Sequence, residues 1–226
     1  YGGSWGAKMD GSDQIYWTGE TRPYVAQPDN VKDFFRTGSN LVNTLVLEKG
    51  SENFSVRFSY SNNHATSILP NAGLDKDNFD LRATAHLSKK LSVDTKVTYF
   101  KQKAEQRPYM GSEGLMAYTY VIPRNLDIND LKNYQNPDYS VRSYTSNGGN
   151  PYWIQENDIN HDGRNRFIGF AKVNYMFTNW LSGFVRIGTD YLNQNVNYVH
   201  QFGHWYWPQG RFRYSKYNIA ETNADF

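Results

Sequence analysis

A chain of 226 residues with a net charge of +2, no cysteine and 16% aromatic residues excludes several broad classes at once. The near-neutral balance argues against a nucleic-acid binder held by phosphate contacts, and the missing thiols remove a disulfide framework and any Cys-containing metal site. No stretch approaches the ~18 consecutive apolar residues of a membrane-spanning helix. A mean hydropathy of −0.76 beside 18 Tyr, 13 Phe and 6 Trp leaves two readings. One is barrel strands, with one wet face and aromatic girdles; the other is a soluble all-β module with an aromatic carbohydrate-binding surface.

In chain order, residues 1–38 carry Gly, Pro and Trp in irregular spacing and read as an ordered connector. The opening Tyr1-Gly2-Gly3-Ser4-Trp5 lacks the basic and apolar regions of a signal peptide, and Ala224-Asp225-Phe226 closes no element, so the segment reads as an internal piece of a longer polypeptide. Strands are expected from Leu41 to Leu47 and from Phe54 to Tyr60, around the compact turn 48–52. In the second, Phe54, Val56, Phe58 and Tyr60 share one face and Ser55, Arg57 and Ser59 the other. After a longer connection at about 62–78 comes the clearest pair, Phe79–Leu87 and Leu91–Tyr99, joined by Ser88-Lys89-Lys90. Both alternate apolar and polar residues with period two, and each has about the 9–11 residues that a tilted strand needs to cross a bilayer.

The next connection, about 101–165, carries four prolines and a short helix around Asn129–Tyr134. Strands resume at Phe167–Tyr175 and, after Thr178-Asn179, at Leu181–Tyr191; a third long connection runs from about 195 to 216, and another strand begins near Asn218. Short connections thus alternate with long ones. That asymmetry belongs to outer-membrane barrels, with short periplasmic turns and long extracellular loops. The predicted strands are too few to seal a barrel by themselves, since open edges are not tolerated in hydrocarbon.

Several stretches are familiar as a series. Ser4-Trp5-Gly6-Ala7-Lys8-Met9-Asp10-Gly11, Pro28-Asp29-Asn30-Val31-Lys32-Asp33-Phe34-Phe35-Arg36-Thr37-Gly38, Arg57-Phe58-Ser59-Tyr60-Ser61, Leu87-Ser88-Lys89-Lys90-Leu91, Asn150-Pro151-Tyr152-Trp153 and Trp180-Leu181 occur in an order that resembles SusC/RagA-type TonB-dependent outer-membrane transporters. The resemblance implies an all-β fold, part of a large antiparallel transmembrane β-barrel of the plugged type, with residues 1–38 as a plug-to-barrel connector and 39–226 as barrel strands. It implies the bacterial outer membrane and import of a nutrient, a glycan first and a peptide second. The implied partners are a SusD-like surface lipoprotein, the lipid bilayer, and TonB through a plug outside this segment. The alternative is the soluble carbohydrate-binding module.

Candidate sites follow from residue type and pattern. Tyr198, His204, Trp205, Tyr206 and Trp207 head an aromatic run whose rings suit stacking on sugars or contact with a lipoprotein, although a loop's own packing is the commoner duty for such residues. Alternation puts Arg57, Asp80, Arg82, His86, Asp94, Lys96, Lys172, Arg186 and Asp190 toward the lumen and plug, and Leu81, Ala83, Val93, Val97, Val173, Val185 and Ile187 toward lipid. Asp158, Asn160 and Asp162 match the first half of a calcium loop, but Gly169 stands where the bidentate Glu belongs, so a turn without metal is the better reading. No HExxH, P-loop or nucleophile elbow is present; neither an enzyme nor a cofactor is expected.

Overall fold

The computed structural model describes residues 6–109, 111–112, 114–146 and 148–226. Seven strands form one antiparallel meander: β3 (Ser39–Gly50), β4 (Phe54–Thr66), β5 (Gly73–His86), β6 (Leu91–Glu105), β7 (Asp158–Met176), β8 (Ser182–His200) and β9 (Arg211–Asp225), each paired with its chain neighbour. A small ribbon, β1 (Asp13–Ile15) with β2 (Thr21–Pro23), stands apart in the N-terminal segment. The chain is therefore predominantly antiparallel β. The sheet is open, with β3 and β9 as its edges.

Register follows the alternation. Arg57 lies opposite Arg82 and Arg82 opposite Lys96, while Asp94 lies opposite Lys172 and Lys172 opposite Arg186. Period two places Asp80, His86 and Asp190 on this same polar face. Leu81, Ala83, Val93, Val97, Val173, Val185 and Ile187 occupy the other face. Nothing among the described residues covers it: Leu81 is 45%, Val185 54% and Ile187 56% exposed. A one-residue slip would exchange the two faces, so the pattern excludes it, and the short turns fix the register further.

The strands run well past the lengths that apolar alternation marks. The expected connection at 62–78 shrinks to residues 67–72, that at 101–165 to 106–157, and that at 195–216 to 201–210. Most of the extra residues are polar, and side chains in and beside these stretches bond across strands. Tyr60 Oη and Asn62 Nδ2 both donate to Asp77 Oδ1, at 2.7 and 2.9 Å, and Asn193 Nδ2 donates to Asn218 Oδ1 at 2.6 Å. The calcium half-match is one casualty. Asp158, Asn160 and Asp162 are not in a turn but at alternate positions of β7, paired with His200, Tyr198 and Val196. The helix expected at 129–134 is a 3₁₀ turn at Ile128–Lys132, capped by Asp127, whose Oδ1 accepts from Asn129 N at 2.9 Å.

All three short connections, 51–53, 87–90 and 177–181, lie at one edge of the sheet, and the long ones at the other. At that other edge the connections fold into a cap with its own core. It includes α1 (Leu115–Tyr120) and α2 (Pro151–Asn157), and its fully buried side chains include Trp153, Leu115, Ile128 and Leu131. The N-terminal segment joins it through Phe34, 2% exposed. Among the described residues every buried hydrophobic belongs to this cap except Ala104, at the far end of β6. The cap rests on the polar face: Ala104, Asp158, Asp162 and His200, buried beneath it, share the face of Lys96 and Lys172.

Candidate functional site

The aromatic run that dominates the sequence sits in this cap. Asn150 organises the surrounding chain: it is fully buried, and all its polar capacity is used. Its Oδ1 accepts from Tyr152 N and Trp153 N, capping α2, while its Nδ2 donates to Leu131 O and Arg142 O, both at 2.8 Å. Pro151 at the first helical position completes a start signal that seats Trp153 in the core. Trp205 packs edge-on against Tyr118 and Trp153, with ring centroids 5.1 and 6.0 Å away. Its neighbour Gly203 has φ +88°, and a Cβ there would stand 2.1 Å from Tyr139 O, so only glycine lets the chain pass.

His204 is 1% exposed and stacks on Trp205 at 3.8 Å, with the two rings 20° from parallel. Its Nδ1 accepts hydrogen bonds from Tyr206 N and Trp207 N, both at 3.0 Å. This lone-pair role fixes the neutral tautomer, leaving the proton on Nε2. Nε2 lies 3.7 Å from Asp158 Oδ2 and has no hydrogen-bond partner; Asp158 Oδ1 is 3.0 Å from His200 Nδ1. Burial, helped by His200, pushes the His204 pKa down to about 3. Burial raises that of Asp158, with His200 acting in the opposite direction.

Asp158, His200 and His204 place their ligand atoms within 4.8 Å of one another, a grouping that suits a divalent cation by residue type. The hydrogen bonding does not fit a metal. A ligating imidazole presents a lone pair to the ion and donates its other ring N–H outward. Here the outward nitrogen of His204 accepts from two backbone donors, so a hydrogen occupies the inward one. The group is a carboxylate facing two imidazoles, and its chemistry is structural.

The five sequence-predicted aromatics separate by position. Tyr198 lies on the polar face of β8 beside Tyr109 and His200, with centroids 5.6 and 4.5 Å away. His204 and Trp205 are packed inside the cap, whereas Tyr206 is 57% exposed and Trp207 carries the Arg211 guanidinium 4.6 Å over its ring. The predicted lumen residues line the polar face lower down. Arg57, Arg82 and Lys96 stand in one cross-strand row bordering a 660 Å³ basin, near Glu48 and Asp80. Arg82 makes a two-point pair with Asp94 at 3.1 and 2.9 Å. Asp190 is held by Arg166, and Arg186 lies 4.4 Å over the Phe170 ring. Sequence reasoning missed Asp158 as the partner of His200 and His204, because a calcium half-match claimed it. It also missed α2, although Asn150-Pro151 is a legible helix start.

Compared with known proteins, the chain matches no family model and no curated relative.

Proposed function

We propose that the sheet is part of the wall of an outer-membrane β-barrel that imports a nutrient in the manner of SusC-type, TonB-dependent transporters. The observation that carries this reading is an aromatic row on the uncovered face. Tyr60, Phe79, Tyr99, Phe167 and Tyr191 are successive register partners across five strands. Below them runs the apolar band of Leu81, Val97, Val173, Val185 and Ile187, and at the short-turn edge stand Phe54, Tyr175, Phe177 and Trp180, the last 83% exposed. Tyr60 is six positions from Phe54, and Phe167 nine from Met176. At ~3.3 Å per residue those spans are about 20–30 Å along the strands, or roughly 14–25 Å in height at a 35–45° tilt, the longer of them approaching an apolar band ~25 Å tall.

On this reading the short turns are periplasmic and the cap is extracellular. β3 then runs from the outer mouth downward, which makes residues 6–38 part of the cap and not a link arriving from the short-turn side. The edges β3 and β9 require further strands as neighbours, because hydrocarbon cannot satisfy their backbone groups. The polar face lines the lumen, where Arg57, Arg82, Asp94, Lys96, Arg186 and Asp190 hold a plug or meet solute. Tyr206, 57% exposed, would meet a glycan or a SusD-like lipoprotein, with the half-buried Trp207 behind it. The soluble-module alternative needs a second sheet over the apolar face, and the described residues supply none.

The test is fractionation and uptake. The native polypeptide should require detergent for extraction from outer membranes, co-purify with a surface lipoprotein, and support growth on an oligosaccharide in a manner abolished by deleting TonB. A native polypeptide that stays soluble without detergent would end the proposal.

A further inference from the structure

The aromatic turn 201–210 is closed by a histidine used as a hydrogen-bond acceptor, an unusual choice for a capping side chain. Asn, Asp, Ser and Thr ordinarily accept from the backbone N–H groups two and three residues ahead, and none of them gains a proton near neutral pH in that role. His204 does the same work through Nδ1, toward Tyr206 N and Trp207 N. Protonation of that nitrogen would turn the acceptor into a donor facing two donors. The ring is packed on three sides, stacked on Trp205 and set edge-on to Trp153 at 5.5 Å and His200 at 4.4 Å.

We infer that His204 is a proton-sensitive latch: uncharged, it holds the 201–210 turn and Trp205 in the cap, and on acidification it releases them. The titratable groups facing it are Asp158 from β7 and His200 from β8; α2 presents the Trp153 ring. The inference concerns the cap alone and stands whether or not the sheet lies in a membrane.

The direction follows from linkage. The folded pKa of His204 is depressed to about 3, against about 6.5 in a released, hydrated turn. The released state therefore binds the proton more readily. Docking is fully favoured above about pH 6.5 and weakens as pH falls toward 3, by up to tenfold in the docked-to-released ratio per pH unit. Asp158 opposes this: its folded pKa is raised, so its contribution favours the docked state in acid and is lost as pH rises. His204 prevails where its own titration window lies above that of the carboxylate.

Hydrogen exchange on the full polypeptide, read as protection factors for a peptide spanning 201–210 and corrected for intrinsic pH dependence, tests the latch. Wild-type protection should fall several-fold per unit between pH 6 and pH 4. His204→Asn supplies a non-titrating acceptor to the same two amides and should hold its protection flat across that range, while Asp158→Asn should steepen the fall. A flat wild-type profile would overturn the inference. So would a His204→Asn profile that falls like the wild type, or one without protection at any pH.

Discussion

Ile187→Arg puts the two faces of the sheet to a direct test. Ile187 lies between Ala171 and Ala224 in register, is 56% exposed on the apolar face, and stands five positions from Ser182 and four from Tyr191. At ~3.3 Å per residue it is about 16 Å from the short turn and about 13 Å from the aromatic row, close to the middle of the proposed band. An arginine at mid-bilayer depth on a barrel's lipid face costs about 2–4 kcal/mol, roughly a 30- to 900-fold shift in the folding equilibrium. Its chain neighbour Arg186 faces the opposite way, with its guanidinium 4.4 Å over the Phe170 ring. Arg186→Ser removes a partly exposed cation–π contact worth about 0.5–1 kcal/mol. The assay is denaturant-titrated refolding of the full polypeptide into phospholipid vesicles, followed by tryptophan fluorescence and by gel mobility with and without boiling. Equal costs at the two positions would refute the facing, and a cost below about 0.5 kcal/mol for Ile187→Arg would refute the membrane.

Three further changes probe the cap. Arg107→Gln removes the cation 2.6 Å from Asp162, a carboxylate only 6% exposed; because the guanidinium itself is half exposed, the loss is about 1–3 kcal/mol, which thermal melts of the cap by near-UV dichroism should record. Asp130→Ala deletes the acceptor shared by Tyr16 Oη at 2.9 Å and Arg22 Nη1 at 2.7 Å, so limited proteolysis should cut residues 13–38 faster, with about 1–3 kcal/mol of local stability lost. Gly203→Ala forces a Cβ against Tyr139 O at a positive φ. Exchange protection of 201–210 should drop by at least the ~1–3 kcal/mol of a strained backbone residue, whereas Gly19→Ala, at φ +89° with open space around it, should leave that peptide unchanged.

Legibility in the sequence tracked how local each cause was. Phe79–Leu87 and Leu91–Tyr99 announce themselves because nearly every second side chain is apolar; that period specifies strand and facing, and the short turn between them sets the register. The upper halves of the same strands were opaque. Asn62 and Asp77 make strand by bonding to each other across a turn, and no alternation of apolar residues marks such a pair. The cap core was invisible too. Phe34 meets Tyr152 at 5.2 Å across more than a hundred residues, and the rings in this loop look, in sequence, the same as rings awaiting a ligand. Asn150-Pro151 is a readable helix start, but the prolines around it point equally to an irregular loop. His204 was counted as one more member of an aromatic run; its acceptor role depends on two amides placed by the turn.

The distribution of burial connects the two halves of the molecule. Among the described residues, the buried hydrophobic side chains belong to the cap, except Ala104, while the long sheet leaves its apolar face bare. A single sheet with an uncovered apolar face gains little from burial in water, so its stability must come from what surrounds it. The cap draws its stability from its own packing, yet it is stitched from residues 13–38, 67–72, 106–157 and 201–210, segments that only the strand ends bring together. The paired ends are polar because they stand clear of the apolar band: Asp158 lies nine positions beyond Phe167, roughly 30 Å further along β7. There Arg107–Asp162 and His204–Asp158 join the cap to the strand ends, and on the proposed reading these charges stand clear of hydrocarbon. On the proposed reading, the long strands lift a rigid aromatic-bearing surface above the bilayer and hold it over the polar face, where arriving solute meets it first.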